Sequence, residues 1–138
     1  MTTPILPDIE ALALKALRAA FPDVRAAVDT PADWDVASPL ITCRRVSGSA
    51  LDPRFVDRAV MAVDAWHTDR RSASLLARRV RAALYDACRA KLADDEGSLA
   101  GFTELIGPWN PGPDDNAGIS RFVATYQLTA RPTNRKVI

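Results

Sequence analysis

The sequence predicts an α+β domain, an antiparallel sheet of about four to five strands with two main helices packed on one face. Three observations carry this expectation. From Ile119 to Arg131, Phe122, Ala124, Tyr126 and Leu128 alternate with Arg121, Thr125, Gln127 and Thr129, the period of a half-buried strand. From Phe55 to Trp66 the same alternation sets Ala59, Met61, Val63 and Ala65 against Arg58, Val60, Ala62 and Asp64. Two other stretches instead place apolar residues at helical spacing. The order helix, strands, helix, strands, with short links between sequential strands, favours antiparallel pairing under helices on one side.

The first helix opens at Asp8, a good N-cap preceded by Pro7, and puts Ile9, Leu12, Ala13, Ala16 and Ala20 on one face and Lys15 and Arg18 on the other. Pro22 stops it because proline cannot donate to the preceding turn. Val24 to Val28 is a short strand, Asp29 to Asp35 a loop of turn residues, and Leu40 to Val46 a second strand. After Ser47-Gly48-Ser49 comes the long strand Phe55 to Trp66. Thr68 and Asp69 can cap a second helix running to about Leu92, with Ala73, Leu76, Val80, Ala83, Leu84 and Ala87 as its apolar stripe. Asp94 to Gly97 ends it, and Leu99 to Trp109 is a fourth long strand. The segment Gly107 to Asn116 is read as turn structure, neither helix nor sheet, because it packs three prolines and two glycines into seven residues. Pro132 to Ile138 is expected to be a loose basic tail.

A chain of 138 residues fits one domain, 1–138, with a single core, and 48% hydrophobic against 25% charged residues excludes intrinsic disorder. The net charge of +1 gives no global attraction to nucleic acid or anionic lipid, so a charged partner must be met locally. No apolar run reaches the roughly 18 residues that cross a bilayer, and the start lacks a basic segment followed by an apolar one, so the expectation is a protein neither exported nor embedded. Cys43 and Cys88 have no companion Cys or His at metal spacing and read as reduced, partly buried thiols.

Reactive chemistry is thin. His67 lies near Asp64, Asp69, Ser72 and Ser74, yet no Gly-x-Ser-x-Gly turn accompanies it and both serines fall at a helix start, so it reads as a strand-end histidine. The pairs Asp94-Asp95 and Asp114-Asp115 sit in no calcium-loop pattern and read as solvated loop charge. The glycines never form a phosphate cradle ahead of a helix. The expectation is therefore no catalytic, cofactor or metal site. A small enzyme using His67 is the weaker alternative, a monomeric binding domain another.

Surface recognition has more support. Arg71, Arg78, Tyr85 and Arg89 recur at intervals of seven and four and so line the solvent side of the second helix, where the first reading is a plain solvated face and the second a surface for phosphate or an acidic protein. Trp34 and Trp109 stand in or beside turn-rich loops among Asp and Pro, where a tryptophan serves either the chain's own core or an interface. The candidate interface set is Trp34, Asp35, Trp109, Asn110, Arg71, Arg78 and Arg89.

Four strings resemble the tail-terminator, or tail-completion, proteins of long-tailed bacteriophages, particularly those of actinobacterial hosts. They are Pro7-Asp8-Ile9-Glu10-Ala11, the strand Pro39 to Val46, Phe55-Val56-Asp57 leading through Val63 and Trp66 into the arginine-bearing helix, and Gly107-Pro108-Trp109 with Asp114 to Phe122 and the strand ending Thr129-Ala130-Arg131. The resemblance implies a non-catalytic α+β subunit without cofactors. It further implies a ring, a hexamer, that caps the tail tube, ends its growth and prepares the tail for head joining. The implied partners are other copies of the chain, the major tail tube protein and a head-tail connector or neck protein, with DNA passing through the lumen without sequence specificity and no membrane. The implied location is the head-proximal end of the virion tail, after assembly in the host cytoplasm. A neck protein, a stopper or head-closure ring, is the nearest alternative.

Overall fold

The computed structural model describes residues 2–35, 38–112 and 118–133. Residues 113–117, which include the pair Asp114-Asp115 and the end of the segment expected to be turn, and residues 134–138 of the expected tail lie outside the described residues. The elements run α1 (Ile9–Ala20), β1 (Arg25–Ala27), β2 (Leu40–Gly48), β3 (Asp57–His67), α2 (Arg70–Arg89), β4 (Gly97–Trp109) and β5 (Ser120–Pro132). The strands form one sheet in the order β1-β2-β3-β5-β4. The domain is α+β as expected, with one departure: β1 runs parallel to β2, so the sheet is mixed at that edge. Every other pairing is antiparallel.

The sheet is built outward from β3 and β5, which pair without a break from Asp57↔Ala130 to His67↔Ser120. Ala59, Met61, Val63 and Ala65 of β3 and Phe122, Ala124, Tyr126, Leu128 and Ala130 of β5 are buried on one face, as the alternation requires. The alanines keep that face low enough for a helix to settle on it. α2 lies over β3, β4 and β5, burying Ala73, Leu76, Ala77, Val80, Leu84, Ala87 and Cys88. α1 packs beside it over β1 and β2 and buries Ile9, Leu12, Ala13, Leu14, Ala16 and Leu17. Fully buried side chains such as Leu12, Leu84 and Leu128 each contribute roughly 1.5–3 kcal/mol by leaving water.

The helix starts follow their caps. Asp8 accepts from the Ala11 amide at 3.2 Å, and Asp69 accepts from the Ser72 amide at 2.8 Å. α2 ends at Arg89 rather than near Leu92, because Lys91 adopts φ 54°, a left-handed conformation that cannot continue the helix. Strand β3 starts at Asp57 rather than Phe55, since Asp52 to Val56 closes the connecting turn.

The strand expected from Leu99 to Trp109 is present as β4, and of the two overlapping readings of residues 107–109 it corrects the turn reading, for Gly107, Pro108 and Trp109 belong to the strand. The register shifts between Ile106 and Trp109, and β4 is the sheet edge. An edge bulge is where a strand tolerates a residue without an N–H.

One ion pair fixes the far end of the β2–β3 hairpin. Arg45 donates from Nη1 and Nη2 to the two carboxylate oxygens of Asp57 at 2.6 and 3.1 Å, beside a bulge in β2. Asp57 is buried, so this two-point contact replaces the water that its charge would otherwise hold. At the same place Gly48 has φ +118°, and a Cβ there would collide with the Arg58 carbonyl.

Burial pushes the Cys43 thiol up to about 12, with the Glu10 charge adding to the effect, and pushes Cys88 up to about 11. Tyr126 is raised to about 12, mainly by burial, with Glu104 adding and Arg81 opposing. All three are neutral when folded and ionise more readily when unfolded. Their contribution is therefore complete below the unfolded values of 9.0 and 10.0 and is lost as pH rises towards the folded ones. Denaturant midpoints should be flat from about pH 7 to 8.5 and fall above about pH 9. At about pH 8 a thiol reagent should label neither cysteine until the chain is unfolded, and rapid labelling of the native protein would contradict this.

Candidate functional site

The outer face of α2 presents one line of side chains at alternating spacings of four and three: Arg71, Leu75, Arg78, Ala82, Tyr85 and Arg89. It lies opposite the buried stripe, and all six residues are exposed, Leu75 at 41% and Tyr85 at 45%. The helix carries six arginines against the single carboxylate Asp86. Arg78 donates to the Ser74 hydroxyl at 3.3 Å, and the Arg89 guanidinium sits 5.8 Å from the Tyr85 ring centre. Arg81 turns to the sheet and pairs with Glu104 at 3.0 Å. Arg78, Arg81, Tyr85, Phe102 and Glu104 border an open groove of about 410 Å³ between α2 and β4.

The outer end of β4 is apolar, with Leu105, Ile106 and Trp109 each about half exposed. The shift between Glu104 and Ile106 turns Ile106 to the helix-free face, where it pairs with Thr125. A third exposed set, Val46, Leu51 and Phe55, decorates the β2–β3 hairpin. None of these exposures is legible from the residues alone: Leu105 and Ile106 look like core residues until the bulge is known. Spacing could have found Leu75, which falls on the same line as the arginines.

The two loops singled out in the sequence come to the same end of the sheet. Trp34 packs on Trp66 with ring centres 5.6 Å apart, and its Nε1 donates to the Ser38 carbonyl at 3.0 Å. Trp66 faces Arg121 across the β3–β5 ladder, and the Arg121 carbonyl accepts from Asn110 Nδ2 at 2.8 Å. Trp34 thus serves the chain's own packing as well as the surface, whereas Trp109 is half exposed at the strand end. Asp35 is exposed, and its carbonyl accepts from the Ser38 amide at 2.8 Å. Arg71, Arg78 and Arg89 stand apart from this end, on the helix layer. Residues 36–37 of the first loop lie outside the described residues.

Below Trp66 a cleft of about 190 Å³ is bordered by Asp29, Thr42, Arg44, Asp64 and Arg121. Its charges are paired, Arg44 with Asp29 at 3.6 Å and Arg121 with Asp64 at 3.5 Å. His67 is not among its walls: His67 Nδ1 accepts from the Thr68 amide at 2.8 Å. The Ser72 hydroxyl donates to Asp69 at 2.9 Å, so no serine, histidine and aspartate line up for proton relay among the described residues. Asp94 accepts from the amides of Glu96 and Gly97 at 2.9 and 3.0 Å, which makes it a turn residue. No group of three His, Cys, Asp or Glu side chains able to hold a metal occurs among the described residues. No helix among them is long and apolar enough to cross a membrane.

The fold is a single α+β domain whose β4 edge carries the half-exposed Leu105, Ile106 and Trp109. The chain matches the phage tail termination protein family over residues 5–136, nearly its whole length, and belongs to that family. The family is a structural one, and membership makes the chain a component of the virion tail. A comparison with curated proteins found no match.

The two tryptophans should separate in stability. Trp34→Ala removes a ring contact and a hydrogen bond and should lower stability by about 1–2 kcal/mol. Trp109→Ala, at a half-exposed strand end, should change it by under about 1 kcal/mol. Equal losses in thermal denaturation would contradict the assignment.

Proposed function

We propose that this chain forms a ring of identical subunits that seats on the end of the tail tube, stops its growth and presents a surface for head joining. The observation that carries this reading is the family match across residues 5–136. The surfaces support it: a long edge strand with Leu105, Ile106 and Trp109 half exposed, and an arginine-faced helix beside it. In the ring, one surface of a subunit meets a different surface of the next, as a closed cycle requires. Trp34 and Asp35 from the first loop, and Trp109 and Asn110 from the second, contribute to contacts with neighbouring subunits or the tube. Arg71, Arg78 and Arg89 face carboxylates of an adjoining protein. A hexamer fits the family resemblance. The partners are then further copies of the chain, the tube protein below, and a connector or neck protein above, with DNA crossing the lumen. The position is the head-proximal end of the tail, reached after assembly in the host cytoplasm. The subunit works by shape, with no reacting group.

Adding purified protein to polymerising tube subunits tests this reading. The expected outcome is tubes that stop lengthening and carry the protein at one end. Undiminished growth, or binding only to the portal side of isolated heads, would overturn it in favour of a neck role.

A further inference from the structure

Charge is distributed unevenly enough in this chain to say which of its surfaces meet. The whole chain carries +1, while α2 alone carries six arginines and one aspartate, a net of +5. Everything else therefore sums to −4. Of that, the stretch 22–35 holds Asp23, Asp29, Asp33, Asp35 and Arg25, a net of −3 along the sequence, with Arg44 paired to Asp29 and Arg18 donating to the Ala26 carbonyl beside them. These two charge centres lie towards opposite sides of the domain, for β1 is one sheet edge and α2 covers β3, β5 and the other edge strand, β4. The acidic stretch includes the edge strand β1 and the loop after it, and α2 leans on β4, the other edge, through Arg81–Glu104 and Tyr85–Phe102.

We infer that the outer line of α2, from Arg71 to Arg89, docks on the acidic stretch 22–35 of a second copy of this chain. This rests on the ring-forming reading above and names the two surfaces that would meet. The acidic side is available, for Asp23 is exposed and the Asp29 and Asp33 side chains are 74% and 79% exposed. Their present partners, Arg44 at 3.6 Å and Arg25 at 3.1 Å, are exposed ion pairs of the kind that exchange readily for a better arrangement. The basic side is equally open. Arg71, Arg78, Arg79 and Arg89 are exposed on α2 with only Asp86 among them, and Glu104 is already engaged by Arg81. Guanidinium groups suit carboxylates because they offer two parallel donors. Leu75, Ala82 and Tyr85, interleaved with the arginines, supply apolar area that ion pairs alone lack, and Tyr85 with an arginine on either side has the composition of an interface anchor. Because the docking surfaces are different, one on the helix layer and one at the β1 edge, each copy offers one of each, and the contact propagates from copy to copy.

Charge exchange tests the pairing. One variant carries Arg78→Glu with Arg89→Glu, and the other carries Asp29→Lys with Asp33→Lys; circular dichroism confirms that each folds. By light scattering, wild type should exceed the 15.0 kDa of one chain, and salt should lower its mass. Each variant alone should fall to the single-chain mass, and an equimolar mixture should regain the larger one, since each mutated surface then finds its opposite. Three results would overturn the inference: wild type that stays a single chain, either variant assembling normally by itself, or a mixture that fails to recover. A fourth is loss of binding to a short DNA duplex by the arginine variant with assembly intact, which would assign α2 to a polyanion. Tube capping by these variants keeps the two readings apart. Variants that cap tubes while the mass data fail would leave the terminator role standing and remove this contact.

Discussion

The β3–β5 ladder is the constraint on which the rest of the fold depends. Its eleven pairs are in unbroken register, and every second residue on one side is buried. A slip of one position would turn either Met61 of β3 or Tyr126 and Leu128 of β5 to the helix-free face, and bring Arg58 and Asp64, or Arg121, under α2. Register, core and helix placement are thus one choice. The alanines at 59, 65, 124 and 130 set the height at which α2 rests, and that in turn decides which of its faces is left outside.

What is left outside differs in kind around the molecule. The helix layer ends in guanidinium groups and a tyrosine, the β4 edge in half-exposed apolar side chains, and the β1 edge in carboxylates. Edge strands invite further pairing, and this chain restrains its long one with three register shifts along β4. Such restraint leaves side chains, rather than a continuous backbone ladder, to select what docks there. Internal polar contacts, by contrast, are spent on holding the fold: Arg45 on Asp57, Asp94 on its own turn, His67 on the adjacent amide.

Most of this was legible in the sequence where periodicity speaks. The period of two in Ala59 to Ala65 and Phe122 to Ala130, and the helical period in Ala73 to Ala87, specify elements and buried faces with little help from context. The solvent side of α2 was equally readable, because Arg71, Arg78 and Arg89 repeat in step with it. Features set by distant partners were hidden. β1 has three residues, too few to carry a pattern, and its parallel pairing follows from where α1 delivers the chain. Gly107 and Pro108 fell in both the strand and the turn reading, because only the bulge at an edge makes them acceptable in a strand. The preceding shift, between Glu104 and Ile106, exposes Ile106, and the Arg45–Asp57 pair joins residues whose meeting depends on the β2–β3 register.

The central claim is that this chain acts as a building block whose surfaces do its work. Electron micrographs of the purified protein, alone and with tail tubes, address it most directly. The account predicts closed rings of equal subunits and added density at one end of each tube. Isolated single subunits that leave the tube ends bare would contradict it.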